Sequence, residues 1–204
     1  IWPGDSALRH DIQLLADAGI LRTPVTSWPL SWPDVARDVL AQTSTAALPA
    51  GYEMVLLRVQ QAARREARLG SSGLEVGLAG AEAPTRLRNF EATPRESGEL
   101  SVGGSWLGNR LAAAVHVTAV ADASDDQSVR FDESYVGLSV GNFMVSAGAM
   151  SRWWGPGWDG SLILSNNARP IPSITVERNY TDASRLPLLK WLGPWRASLA
   201  VGQG

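Results

Sequence analysis

Residues 110–121 read Arg110-Leu111-Ala112-Ala113-Ala114-Val115-His116-Val117-Thr118-Ala119-Val120-Ala121. Leu111, Ala113, Val115, Val117 and Ala119 alternate with Ala112, Ala114, His116, Thr118 and Val120. This period of two places successive side chains on opposite faces of a strand. The rhythm recurs on both sides of the run. Leu74, Val76 and Leu78 alternate with Glu75, Gly77 and Ala79, and Leu100, Val102 and Trp106 with Ser101, Gly103 and Ser105. Val136, Leu138 and Val140 alternate with Gly137, Ser139 and Gly141, and Phe143, Val145, Ala147 and Ala149 follow with Ser146 and Gly148 between them. Asp122–Ser128 and Gly141-Asn142 supply turns between runs.

A soluble sandwich buries one face under large aliphatics and sets Lys, Glu and Thr on the other. Here the second face is glycine, serine and small residues, and lysine is almost absent. Segments of ~10 residues, apolar on one side and small or polar on the other, match strands of a membrane-spanning barrel. Only a closed sheet lets strands pair every backbone group in lipid. Trp106, Trp153, Trp191 and Trp195, at run ends, suit interfacial girdles. The pattern predicts a mainly β protein, a transmembrane antiparallel β-barrel over residues 71–204, with His116 as an inward polar residue. A soluble β-sandwich is the competing reading from period alone.

Residues 1–70 change period. Leu8, Ile12, Leu15 and Ala18 recur at three or four, with Asp5 or Ser6 as cap and Gly19 at the stop. Ser31-Trp32-Pro33-Asp34 opens a short helix to about Gln42. A longer helix spans Pro49 to about Leu69, packing on Tyr52, Val55 or Leu56, Val59 and Ala63. Three amphipathic helices make a small bundle, and Gly70-Ser71-Ser72-Gly73 separates it from the strands. Arg58, Arg64, Arg65 and Arg68 read as a solvated face, with Arg64 and Arg65 near Glu66.

Composition narrows the function. The chain has 204 residues, 18 Lys+Arg against 20 Asp+Glu, no cysteine and two histidines. A net charge of −2 argues against whole-chain attraction to nucleic acid, and the missing Cys and scarce His remove thiolate, zinc and Ser–His chemistry. Gly155-Pro156-Gly157-Trp158-Asp159-Gly160 fits G-x-G-x-x-G, but Pro156 lacks a donor and Trp158 blocks a pyrophosphate. Gly4-Asp5-Ser6 opens a helix with no preceding strand, so Ser6 reads as a cap. Asp122, Asp125, Asp126 and Asp132 read as a solvated hairpin loop rather than a calcium or glycosidase site. Neither end reads as a natural terminus, and the chain reads as a fragment.

Residues 151–174 read Ser-Arg-Trp-Trp-Gly-Pro-Gly-Trp-Asp-Gly-Ser-Leu-Ile-Leu-Ser-Asn-Asn-Ala-Arg-Pro-Ile-Pro-Ser-Ile. This block resembles the signature of the Wzi family of capsule assembly proteins. Leu8-Arg9-His10-Asp11, Leu15-Ala16-Asp17-Ala18-Gly19-Ile20, Pro24 and Trp28-Pro29-Leu30 extend the resemblance to the helical part. The resemblance implies an outer-membrane barrel of roughly 18 strands when complete, with residues 1–70 as a periplasm-side bundle. It implies a lectin-like, non-enzymatic role: holding capsular or extracellular polysaccharide at the cell surface of a Gram-negative bacterium. Outer-membrane lipid or lipopolysaccharide would surround a monomer; no catalytic residue, metal or cofactor is implied. A porin-like channel and a soluble glycan- or wall-binding module are the alternatives.

Within that block Gly155-Pro156-Gly157, Asp159-Gly160, Asn166-Asn167, Pro170 and Pro172 predict a folded segment outside the strand ladder, infolded toward the pore. Trp153, Trp154 and Trp158 offer flat faces to sugars, and Asp159, Asn166, Asn167 and Arg169 offer hydrogen bonds, Arg169 to an acidic sugar. For each residue singly, a structural role is weighed above sugar contact: interfacial anchoring for the tryptophans, turn satisfaction for the polar groups.

Overall fold

The computed structural model describes residues 1–44, 48–71, 73–85, 87–91, 93–183 and 187–203; Ser72 of the predicted linker lies outside them. Helix α1 spans Ser6–Asp17, α2 Trp32–Ala41 and α3 Tyr52–Glu66. The Asp5 carboxylate accepts the Leu8 N–H at 2.8 Å, capping α1. Gly19 stands two residues past its end at φ +72°, a conformation an L side chain resists. Ser31 holds the N-cap position of α2 without a side-chain bond. Ile12, Leu15, Val35, Val39, Val55, Leu56, Val59 and Ala63 are buried between the three helices, so Val55 and Leu56 both belong to the core. Of the predicted basic face, Arg58 is committed: it grips Asp11 of α1 with bonds of 2.7 and 2.6 Å. Arg65 lies 3.6 Å from Glu66.

The strands are β1 (Ser27–Trp28), β2 (Gly70–Ser71), β3 (Glu75–Gly80), β4 (Gly98–Leu107), β5 (Leu111–Ala121), β6 (Val129–Arg130), β7 (Tyr135–Val140), β8 (Phe143–Gly148), β9 (Trp153–Trp154), β10 (Ser173–Arg178) and β11 (Ser198–Gly202). Nine form one antiparallel sheet in the order β11-β10-β8-β7-β5-β4-β2, with β3 beside β4 and β6 beside β5. The five predicted runs are all strands. Strand β10 was not anticipated: Pro172 precedes it, but Ile174 and Val176 restore the alternation at once.

Register sorts the two faces. Leu78, Leu100 and Ala119 lie in one cross-strand row, and Leu111, Leu138, Val145, Val176 and Leu199 lie in another. This apolar face is open: Leu111 is 47%, Val115 59%, Val136 53% and Val145 38% exposed. Among the described residues no second layer covers this face, as one would in a sandwich. The opposite face carries rows such as Gly77, Ser101, Thr118, Arg130 and Ala112, Gly137, Ser146, Thr175, Ala200. His116 lies on this side, and a side chain at Gly103 opposite would overlap its imidazole. No described helix is long and apolar enough to cross a membrane.

The bundle docks on the inner side at the end of the sheet where α3 runs into β2. There Thr181 Oγ1 donates to Asp34 at 2.6 Å, Arg37 pairs with Asp182 at 2.8 Å, and Arg196 donates to the carbonyls of Ser27 and Pro29. Two long connections, the described residues of 81–97 and residues 149–172, also turn inward to the bundle. Between bundle and sheet lies a cavity of about 990 Å³.

Candidate functional site

The 149–172 segment is a strap folded tightly on itself. A Cβ on Gly155 would sit 2.7 Å from the Leu162 nitrogen, and one on Gly157 would strike the Gly160 carbonyl, so only glycine fits where the strap doubles back. The strap is not wholly outside a ladder, as its prolines suggested. Upstream of Pro156 the backbone is free to pair, and Trp153-Trp154 forms a two-residue bridge with Ser27-Trp28 of the bundle.

The turn presents carbonyls to a cation. Arg9 of α1 is fully buried, and its Nη2 donates to the carbonyls of Pro156 and Gly157 at 2.8 and 2.9 Å. Its guanidinium lies 4.2 Å from the Phe90 ring centroid and 4.5 Å from that of Trp158. Burial lowers the Arg9 pKa below the ordinary guanidinium value. Phe90 comes from the 81–97 connection, and its ring meets Trp28 and Trp153 edge-on at 5.1 and 5.8 Å. One aromatic and cationic cluster thus joins bundle, strap and 81–97 connection. The G-x-G-x-x-G match is explained with its polarity reversed: oxygens face a guanidinium, not N–H groups a phosphate.

The candidate residues do not converge on one surface. Trp153 is fully buried, its indole N–H donated to the Gly157 carbonyl at 2.9 Å. This corrects its place in an interfacial girdle, since core partners cover both the ring and its polar tip. Trp106 and Trp191 are exposed, at 45% and 80%, while Trp195 packs its ring 3.9 Å from the Arg178 guanidinium. Trp154 and Trp158 are half-buried and Asp159 is exposed. Asn166 is buried and donates to the Phe90 carbonyl at 3.1 Å. The exposed Asn167 accepts the Arg88 N–H at 2.7 Å.

Arg169 is held by two carboxylates. It bonds Asp132 through Nε and Nη2 at 2.9 and 2.8 Å, and Asp125 and Gln127 through Nη1 at 2.7 and 2.8 Å. Asp125 also pairs with Arg130 at 2.8 Å, and Arg130 with Glu96 at 2.6 Å. The expectation of a solvated acidic loop is therefore corrected for Asp125 and Asp132. These pairs raise the Arg169 pKa, Asp132 first, and hold Asp125 and Glu96 below the usual carboxylate range, Arg130 first in each case. Among the described residues no group of three His, Cys, Asp or Glu side chains is placed to hold a metal ion.

Arg9, Phe90, Arg88 and Arg95 are the residues that sequence reading missed. Arg88 and Arg95 hold the strap by its backbone, donating to the carbonyls of Asn166, Asn167 and Ala168 at 2.7–3.1 Å. Their partners lie more than 70 residues away, where no local period can signal them.

A mainly antiparallel sheet with an open apolar face, backed by helices and two long connections, defines a mainly β protein with a small helical bundle against one face of its sheet. The profile of the capsule assembly protein Wzi family matches residues 67–204, and the chain belongs to that family. It is 26% identical over 203 residues to an uncharacterized 55.8 kDa protein in the cps region of Klebsiella pneumoniae, covering 98% of this chain and 39% of that protein. Its fold matches a solved structure of Wzi, described as an outer membrane protein involved in group 1 capsule assembly in Escherichia coli and a carbohydrate-binding β-barrel. The TM-score is 0.83 at 23% identity, over 99% of this chain and 45% of that one. The chain thus spans less than half the length of the relatives it matches.

Proposed function

We propose that this chain is part of an outer-membrane protein that binds capsular or extracellular polysaccharide at the cell surface and supports capsule assembly, without catalysing a reaction. The observation that carries this is the sheet itself. One continuous face of exposed Leu, Val, Ile and Phe backs a face of Gly, Ser, Thr and charged residues, as lipid on one side and a wet interior on the other require. Further strands would pair with the free edge of β11 and close a barrel of about 18 strands. The bundle would face the periplasm, and lipid or lipopolysaccharide would meet the apolar face of a monomer. Family membership and the carbohydrate binding described for the matched barrel support the same reading.

Trp154, Trp158, Asp159 and Asn167 are the candidates with open surface for sugar; Trp153 and Asn166 support them from below, and Arg169 sets the strap's position. Removing the full-length protein from an encapsulated strain should release polymer into the medium while total polymer stays constant. Unchanged cell-bound capsule would contradict the proposal. The inward packing of bundle, strap and 81–97 connection argues against a diffusion channel. Full-length protein in a planar bilayer should accordingly show little steady conductance.

A further inference from the structure

We propose that Arg88 and Arg95, on the wall of the cavity beside the strap, form a binding site for the carboxylate groups of an acidic glycan. The inference deepens the polysaccharide-binding reading above and rests on it.

Four guanidinium groups gather around the second half of the strap, and they are not equivalent. Arg130 and Arg169 pair directly with Glu96, Asp125 and Asp132 at 2.6–2.8 Å. Arg88 and Arg95 have no carboxylate oxygen within 4.0 Å among the described residues, and their guanidinium groups donate to neutral carbonyls: Asn166 and Thr93 for Arg88, and Asn166, Asn167 and Ala168 for Arg95. The nearby Glu99 turns its Oε1 to the Arg95 backbone N–H at 2.7 Å rather than to either guanidinium. Glu133 turns to the Ser151 N–H, and burial holds its pKa above the ordinary carboxylate value.

Both arginines are half-buried and line the cavity with Ser101, Thr118 and Asn166, and with the carboxylates of Glu99, Asp132 and Glu133. The Arg88 Nε is buried with no acceptor. Burial first, and the charge of Arg95 second, push the Arg88 pKa down to about 10, and burial likewise lowers that of Arg95. Burial lowers both pKa values by more than the carboxylates nearby raise them, Glu99 and Glu133 for Arg88, Asp132 and Glu99 for Arg95. Two desolvated like charges, already oriented by carbonyls, therefore have carboxylates near them but none in contact. A planar carboxylate matches the guanidinium fork in two parallel bonds, and Ser101 and Thr118 supply hydroxyl partners for the sugar that carries it.

The test uses the full-length protein with polygalacturonate and with its carboxyl-reduced, neutral product as probes. The wild type should retain polygalacturonate at least tenfold more strongly than the reduced polymer, and this preference should fade with added NaCl. R88Q/R95Q should lose the preference, and R88K/R95K, which keeps the charge, should retain part of it. Should R88Q/R95Q fail to fold, the wild type alone decides: free galacturonate should raise its Tm and galactose should not. Equal retention of both polymers, a preference that survives in R88Q/R95Q, or a Tm indifferent to galacturonate would overturn the carboxylate site. The capsule-release experiment reads the parent proposal separately. Polymer released on deletion alongside equal retention of both probes would sink this site alone.

Discussion

The wall and the interior of this molecule are built by different rules. Along β5 each residue's environment follows from its parity: Leu111 and Val115 are exposed on the apolar side, and Ala114 and Val120 are buried on the other. Inside, environment follows from distant partners. Arg9 meets carbonyls 147 and 148 residues away, and Phe90 closes a core whose other members are mostly helical. A wall is specified by repetition, and its substitutions should act locally. An interior is specified by a few long-range contacts, and losing one should release several segments together.

Phe90→Ala should break the interior most severely, because the ring is 1% exposed between Trp28, Trp153 and Arg9. The expected cost is about 3–5 kcal/mol, seen as amide exchange rising together in residues 81–97, 149–172 and α1. Exchange confined to residues near Phe90 would show that the three segments are independent. On the wall, Val115→Arg places a charge on the apolar face and should cost about 2–4 kcal/mol in a bilayer. Thr118→Arg, three residues on and facing inward, should cost far less; similar losses from both would remove the distinction between the faces. Arg9→Ala comes next, at about 2 kcal/mol from the lost cation–π contacts. It should raise protease cleavage within 151–169 while the strand register stays intact by cross-linking.

The smallest effect belongs to the ion pairs of the strap. Asp125 and Glu96 have folded pKa values below their unfolded ones. Their stabilisation is complete above the unfolded values near ~4 and is lost as pH falls through the depressed ones. Cleavage within the strap should therefore be flat from neutral pH to about 5 and should rise only below about 4. Asp132→Asn should bring that rise forward at a cost of about 1 kcal/mol at neutral pH, since the pair is partly exposed. A rise centred near pH 6–7 would implicate histidine instead.

Much of the wall was legible because strand parity is a local property. Leu74–Ala79, Leu100–Trp106, Arg110–Ala121 and Val136–Ala149 each declared their faces without any partner being known. The three helices were legible for the same reason, through caps at Asp5 and Ser31 and apolar residues at helical spacing. Strand β10 escaped because two prolines precede it, although Ile174 and Val176 carried the signal. The interior escaped almost wholly. Trp153 has the composition of a girdle residue and the position of a core residue, and only its partners, Phe90 and the Gly157 carbonyl, tell the two apart. Asp125 and Asp132 looked solvated because Arg169, which pairs with both, lies about forty residues further along the chain.

The proposed barrel puts lipid on the odd-numbered side of β5 and an enclosed aqueous interior on the even-numbered side. Spin labels placed singly from residue 111 to 120 in the full-length, membrane-reconstituted protein test it directly. Accessibility to oxygen should peak at 111, 113, 115, 117 and 119, and accessibility to a water-soluble nickel complex should be favoured at 112, 114, 116 and 118. A profile without a period of two, or one in which the odd positions favour the nickel complex, would contradict the account.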